Sequence, residues 1–303
     1  MGKEGKRVAL LQSCMKKENL VNWVLFGVLA FIWGSSFILM KVSKEHLNGY
    51  QIGGLRIFSA GLVFLPFALF HLRKIERKKL PLVVLSGLLG NFFPAFLFAI
   101  AIEKKIDSAL AGILNSLTPL FVIVIAIAFF KVRMARIKII GVLVGFGGLL
   151  LLSLYKGGIS TDNLSYALLI LLATFLYGLN VNLVSFYLKG INPVQMATVS
   201  LAFVAVPAAV ILWQQELFYI ARYDAAAGWS IAAAALLGIV GSAIATVLFY
   251  MLIKRAGGLF ASMVTYAIPI VAIFWGFLAH EDITAVQIGC LGIILVGVYL
   301  TNK

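Results

Sequence analysis

The chain alternates long apolar runs with short polar breaks. Ten runs reach the roughly 20 helical residues that a bilayer core of about 30 Å requires. They lie at roughly 22–41, 50–70, 80–102, 107–130, 136–155, 163–187, 193–213, 228–253, 258–279 and 284–301. Polar and apolar residues do not alternate within them as they would in barrel strands, and lipid offers a free backbone no partner, so the runs predict helices. The stretch at 103–130, EKKIDSALAGILNSLTPLFVIVIAIAFF, carries two cations, then small residues, then a proline midway. Its pattern returns 150 residues later: Lys104–Lys105 become Lys254–Arg255, Ala111 becomes Ala261, Ser116 becomes Tyr266 and Pro119 becomes Pro269. A repeat this long predicts two copies of one unit. The expected organisation is a basic tail at 1–21, a first repeat at 22–155, a linker at 156–163 (KGGISTDN) and a second repeat at 164–301. Five runs per copy is an odd number, so the second copy enters the membrane from the opposite side. The expected fold is an all-α membrane protein of ten transmembrane helices in two inverted five-helix repeats, with a substrate site between the halves.

Composition agrees. Of 303 residues 62% are hydrophobic and 12% charged, whereas a soluble domain is roughly half apolar and about a quarter charged. The excess of 25 Lys and Arg over 11 Asp and Glu does not point to nucleic acid, because the cations sit in short breaks between apolar runs, where they set orientation. On the side of the N-terminus lie 18 of them, against 6 on the other side and Arg56 within a run. Both termini are therefore expected in the cytoplasm. The first run is too long for a signal-peptide core and no small-residue cleavage site follows it, so it is expected to be retained. Cys14 and Cys290 lie far apart and predict neither a disulfide nor a zinc site. His46, His71 and His280 sit at run ends or in breaks with no second ligand at metal spacing, so no metal or cofactor is expected.

Several stretches together carry a family resemblance. Trp33-Gly34-Ser35-Ser36-Phe37 with Lys41 resembles the first-span motif of the EamA family of the drug/metabolite transporter superfamily. Leu55-Arg56-Ile57-Phe58 is similar to its second-span start. Ser108-Ala109 through Thr118-Pro119-Leu120-Phe121 resembles its fourth-span signature. Ala261-Ser262 to Ile268-Pro269, with Glu281 and Gln287-Ile288-Gly289, is similar to the copy in the second half. The resemblance covers about 22–301. It implies a ten-span carrier in a plasma membrane, here a bacterial inner membrane, usually exporting amino acids or other small metabolites. The fourth span ends Phe130-Lys131 where the family often has Glu, so no paired-acid role carries over.

The candidate substrate-binding residues follow from depth and chemistry. Arg56 is the one charged residue well inside a run, where it costs at least about 2.5–3.5 kcal/mol on insertion scales. It reads either as an anchor for a substrate carboxylate or as a tie to Glu45, Glu103, Asp107 or outer carbonyls. Trp33, Gly34 and Ser36 match Tyr177, Gly178 and Asn180 as aromatic-Gly-x-polar. That pattern suits either a pocket wall or small-residue packing. Asn91 and Pro94 interrupt the third run, and Asn115, Thr118 and Pro119 the fourth. A proline inside a helix frees a carbonyl and kinks the axis, so Pro119 and Pro269 are hinge candidates. Ser242, with Thr246 and Tyr250, and Tyr266 complete the set. Gly141, Gly145, Gly147 and Gly148 predict close packing of the fifth run, and Gly289, Gly292 and Gly297 that of the tenth. This face would also serve a homodimer, so monomer and dimer both stand.

No Asp or Glu lies deep in any run, and Glu103, Asp162, Asp224, Glu281 and Asp282 sit at the edges. Proton-coupled carriers usually bury a carboxylate, so facilitated diffusion or exchange is expected. An intramembrane enzyme is disfavoured, because the chain lacks HExxH, G-x-S-x-G and an intramembrane aspartate pair. The leading expectation is an alternating-access carrier of a small amphipathic metabolite, an amino acid or related compound. The alternative is a membrane sensor or scaffold without transport.

Overall fold

The computed structural model describes residues 3–104, 108–155, 164–278 and 284–302. Every regular element among them is helical. In chain order they are α1 (Lys3–Ser43), α2 (Gly49–Leu72), α3 (Leu80–Gly87), α4 (Phe93–Glu103), α5 (Ser108–Asn115), α6 (Thr118–Phe130) and α7 (Arg136–Tyr155). There follow α8 (Leu164–Tyr187), α9 (Pro193–Gln214), α10 (Leu217–Tyr223), α11 (Gly228–Gly238), α12 (Ala245–Ala256), α13 (Gly258–Ser262), α14 (Val264–Leu278) and α15 (Ala285–Asn302). The expected linker at 156–163, together with Lys105, Asp107, His280, Glu281 and Asp282, lies outside the described residues.

Local sequence sets many of the ends. Asn48 caps α2 by accepting from the Gln51 amide, and the Gln51 side chain accepts from the Asn48 amide, which closes a capping box. Asn192 caps α9 by accepting from the Val194 amide, with Pro193 in the first turn. Prolines also open α3, α4 and α6. Glu103 accepts from the Gly49 amide at 2.7 Å, so it serves the start of α2. The basic tail is continuous with the first long helix, since α1 begins at Lys3.

Seven helices among the described residues are long and apolar enough to cross a membrane. Thr118–Phe130 and Gly258–Val271 are apolar but shorter among the described residues, and both the fourth and the ninth apolar runs are broken. The chain leaves the helix at Ser116–Leu117 between α5 and α6, and at Met263 between α13 and α14. Two other rods bulge. Arg77–Glu103 carries a π-helical turn at Leu88–Phe92 between α3 and α4, and Ala225–Ala256 carries one at Ile239–Ile244 between α11 and α12.

The breaks correct the register of the repeat. Thr118 donates to the Asn115 carbonyl at 2.6 Å, and Thr265 to the Ser262 carbonyl at 3.0 Å. These equivalent bonds are 147 residues apart, not 150. The helix before the break is described over Ser108–Asn115 in the first copy and Gly258–Ser262 in the second. Pro119 therefore stands in the first turn of α6, while Pro269 falls inside α14, six residues past the break at Met263. The two prolines are not matched kinks, although both runs are interrupted.

The packing repeats with partners exchanged. α1 lies against α14 as α8 lies against α6, and α1 lies against α11 and α12 as α8 lies against α3 and α4. α2 packs on α9, and α7 on α15. The last pair meets through four of the seven expected glycines, Gly141, Gly145, Gly148 and Gly297, so close that a Cβ on Gly297 would fall 2.6 Å from both the Gly145 Cα and the Gly141 carbonyl oxygen, whereas Gly147, Gly289 and Gly292 meet nothing within 4 Å. At the α9–α11 end, Trp213 and Trp229 are 74% and 84% exposed, as interfacial aromatics are at a membrane surface.

Because one methyl at Gly297 forces the α7 and α15 backbones apart, Gly297→Ala is expected to destabilise the fold by about 1–3 kcal/mol. Gly292 faces open space, and Gly292→Ala is expected to be neutral or slightly stabilising. Thermal unfolding of the two variants in detergent, followed by intrinsic fluorescence, checks the pair.

Candidate functional site

The two π turns and the two breaks face one another at the centre of the molecule, and the space between them is a cavity. It has about 900 Å³ of atom-free space with its mouth included, of which about 90 Å³ is wide enough for the centre of a water molecule. That admits a few waters. A larger ligand needs its walls to move apart.

Trp33 and Ser36 of α1 and Tyr177 and Asn180 of α8 line this cavity. The glycine within each motif does a different task. A Cβ on Gly34 would press on Val271 of α14, and one on Gly178 on Phe121 of α6, at 2.6 and 2.8 Å. Both readings of the motif therefore hold together. Its glycine packs, and its aromatic and polar residues turn to the cavity.

The same motif holds the π turns. A π turn leaves backbone groups outside the regular ladder. The Trp33 indole donates to the Gly241 carbonyl at 3.2 Å, and Ser36 lies 3.1 Å from a Cβ built on Gly241. On the other side, Gly90 approaches the Asn180 amide too closely for any side chain. The turns also meet each other, as Thr246 donates to the Asn91 side-chain oxygen at 2.9 Å.

Arg56 reaches the cavity from α2. Its Nε donates to the Ser242 hydroxyl at 2.8 Å. It makes no ion pair with a described acidic residue, and Glu103, one proposed tie, is engaged with Gly49 and Lys104. Among the described residues Arg56 is the one charged residue in the cavity wall, which there holds no Asp or Glu.

Asn115 and Thr118 line the cavity at the α5–α6 break, and Ser262 and Thr265 at the α13–α14 break. The Thr118 hydroxyl is spent on the Asn115 carbonyl. The Asn115 side-chain oxygen is buried with no partner, and a buried unpaired acceptor costs about 1–3 kcal/mol.

Eight of the ten sequence candidates thus line one cavity: Trp33, Ser36, Arg56, Asn91, Asn115, Thr118, Tyr177 and Asn180. Ser242 stands behind the wall as the acceptor for Arg56. Tyr266 is turned elsewhere. It is fully buried, covers Gly145 and donates to the Val142 carbonyl at 3.0 Å. The register explains this, since at a spacing of 147 its counterpart is Pro119 and not Ser116. The same shift hid Ser262, which stands opposite Asn115. Thr246, Gly90 and Gly241 carried only weak signals, because glycines and hydroxyls in membrane helices usually serve packing or their own turn.

Thr246→Val is expected to cost about 1–3 kcal/mol by leaving the Asn91 oxygen unpaired. Asn91→Leu in the same chain is expected to recover part of that loss, as a coupled pair does. Thermal unfolding of the two single variants and the double variant measures the coupling.

Comparison with known proteins adds the following. The profile of the EamA-like transporter family matches residues 21–154 and 164–303. An uncharacterized transporter of Archaeoglobus fulgidus is 24% identical over 284 residues, which are 93% of this chain and 99% of that protein. The uncharacterized inner membrane transporter YedA of Escherichia coli K12 is 26% identical over 291 residues, 92% of this chain and 90% of that one. A crystal structure superposes with a TM-score of 0.70 at 18% identity, covering 94% of this chain and 97% of the other. At that identity the superposition shows a shared fold alone.

Proposed function

The chain belongs to the EamA-like transporter family and is a multi-span membrane transporter, and from that premise we propose that it carries a small carboxylate-bearing metabolite, an amino acid or close relative. Arg56 carries this reading. Its Nε is held by Ser242, its remaining donors are free of any described acid, and it is the one charge among the described residues of the cavity wall. A guanidinium presents paired donors that match a carboxylate. Trp33 and Tyr177 give the apolar part of the ligand flat faces, and the unpaired Asn115 oxygen offers an acceptor to an ammonium.

On this reading the chain has ten spans in two inverted halves, at 22–155 and 164–301, with both termini cytoplasmic and the substrate exported across a bacterial inner membrane. The exchange symmetry of the packing supports the two-half plan, and the inner-membrane relative supports the location. Alternating access opens the cavity to one side and then the other. The helix breaks before Pro119 and at Met263 supply hinges, since the backbone is already out of its ladder there.

A thermal-shift screen of the purified protein against amino acids, nucleosides and organic cations tests the site, because a ligand of the folded state raises its stability by mass action. Amino acids are expected to raise the unfolding temperature of the wild type. Arg56→Gln is expected to fold and lose the response, and Ser242→Ala to weaken it. A folded Arg56→Gln protein that responds as the wild type does would remove the carboxylate anchor.

Among the described residues the cavity wall holds no carboxylate, so transport is expected to run without proton coupling through one. In proteoliposomes, an imposed pH gradient is expected to drive no uphill accumulation of a ligand found in the screen. Accumulation against its gradient would overturn that.

A further inference from the structure

The wall of the central cavity continues past Tyr250. A second cavity lies on the far side of that ring, between α8, α9 and α12. It has about 620 Å³ of atom-free space with its mouth included, and about 210 Å³ of it is wide enough for the centre of a water molecule, more than in the central cavity. Tyr250 lines both. The two walls form one track at helical spacing. On α8, Tyr177, Asn180 and Val181 face the central cavity, and Val184, Ser185 and Leu188 take over one to two turns later. On α12, Thr246 and Phe249 pass to Ile253 and Lys254 across Tyr250.

Tyr250 is 1% exposed, and its hydroxyl lies 2.8 Å from Ser86 Oγ. Ser86 donates to the Asn180 side-chain oxygen at 2.8 Å, so Tyr250 is the donor to Ser86. The ring is therefore latched across the track by two buried hydrogen bonds, one of them to a residue of the central cavity.

The second cavity has its own chemistry. Lys189, Lys254 and Arg255 line it, and among the described residues no acidic one does. None of the three forms an ion pair with a described acid. Lys254 lies 3.5 Å from the Ile191 carbonyl, and Arg255 donates to Asn22 at 3.0 Å. The Ser185 hydroxyl is buried in this wall without a partner. Three cations at a mouth attract anions and raise their local concentration.

We propose that this second cavity is an antechamber of the transport path that binds the anionic group of the substrate, a carboxylate or phosphate, and that Tyr250, latched to Ser86 and Asn180, is the gate between it and the central cavity. The proposal rests on the reading of the central cavity as the transport site. Swinging the Tyr250 ring aside joins the two spaces into one passage toward the Lys254–Arg255 face. With Arg56 inside and three cations outside, the passage carries positive charge along its length.

Charged methanethiosulfonate reagents test this without knowledge of the substrate. The full chain with Cys14→Ser and Cys290→Ser carries Asn115→Cys in the central cavity. It is reconstituted with the Lys254–Arg255 face outward in phosphatidylcholine vesicles, with and without phosphatidylglycerol. Sulfonatoethyl and trimethylammonioethyl reagents are applied from outside. Labelling is expected to be slow behind Tyr250 and to rise about tenfold in Tyr250→Ala as the gate is removed. Tyr250→Phe, which keeps the ring and drops the latch, is expected to fall between, and it carries the test where the alanine variant does not fold. The anionic reagent is expected to lead the cationic one. Lys189→Gln with Lys254→Gln and Arg255→Gln is expected to cut that lead several-fold. Unchanged labelling in folded Tyr250 variants would overturn the gate. A reagent preference that ignores the three cations would overturn the antechamber, and so would one that depends on phosphatidylglycerol, which would make it a lipid headgroup seat. Since neither reagent is a transported ligand, these outcomes are independent of the Arg56 ligand screen.

Discussion

A backbone carbonyl that leaves its helix ladder inside lipid must be met by another part of the protein. The centre of this molecule is organised by that requirement. Two rods carry π turns and two runs break, and each irregular segment lies against a partner from the other copy. The Gly241 carbonyl is met by Trp33, the Asn91 side chain by Thr246, and Gly90 seats itself on Asn180. Irregular backbone in a membrane is tolerated where it is buried in protein or lines a cavity, and here it does both. The groups that hold the fold together at its centre are the groups that surround the empty space, so stability and site are set by the same side chains.

Charge follows the same logic. An arginine at this depth costs at least about 2.5–3.5 kcal/mol by insertion scales. One hydrogen bond to a serine returns about 1.5–3 kcal/mol. Among the described residues no acid pairs with it, and Ser242 accepts from its Nε. A water-filled cavity lowers that cost, and an anionic ligand lowers it further. An arginine that would be a liability in a packed helix bundle is placed here at the wall of a cavity.

Much of the architecture was legible in the chain. Apolar run length gave the helices, the paired motifs gave the repeat, and the glycines of α7 and α15 gave their contact. Eight cavity residues were legible because deep polar side chains in an apolar run stand out. What stayed hidden has physical reasons. The π turn at Ile239–Ile244 has no proline or amide to announce it, since Gly241 and Ser242 look like ordinary packing residues. Tyr266 was misread because the repeat was aligned on its prolines and cations. The breaks, at 116–117 and at 263, fall three residues out of step with the 150-residue spacing of the prolines. The Tyr250–Ser86–Asn180 latch joins residues up to 164 positions apart, and no local pattern in one chain marks such a contact.

The two copies have matching geometry and unequal chemistry, and that inequality gives the site its direction. Asn48 and Asn192 cap equivalent helices, a spacing of 144 residues. At that spacing Gly61 faces Ala205, and the two helices approach there too closely for a Cβ on the glycine. The same spacing sets Arg56 opposite Ser200, a buried neutral hydroxyl. At the breaks, Asn115 with its unpaired oxygen stands opposite Ser262, whose hydroxyl is spent on the Leu259 carbonyl. Both the cation and the free acceptor thus belong to the first copy, at the depth where the second copy offers satisfied hydroxyls. Under the alternating access proposed above, a near-symmetric frame would let the same motion run in either half at similar cost. If Arg56 and Asn115 are the binding groups, a ligand with a carboxylate at one end and an ammonium at the other would keep a single orientation throughout that motion.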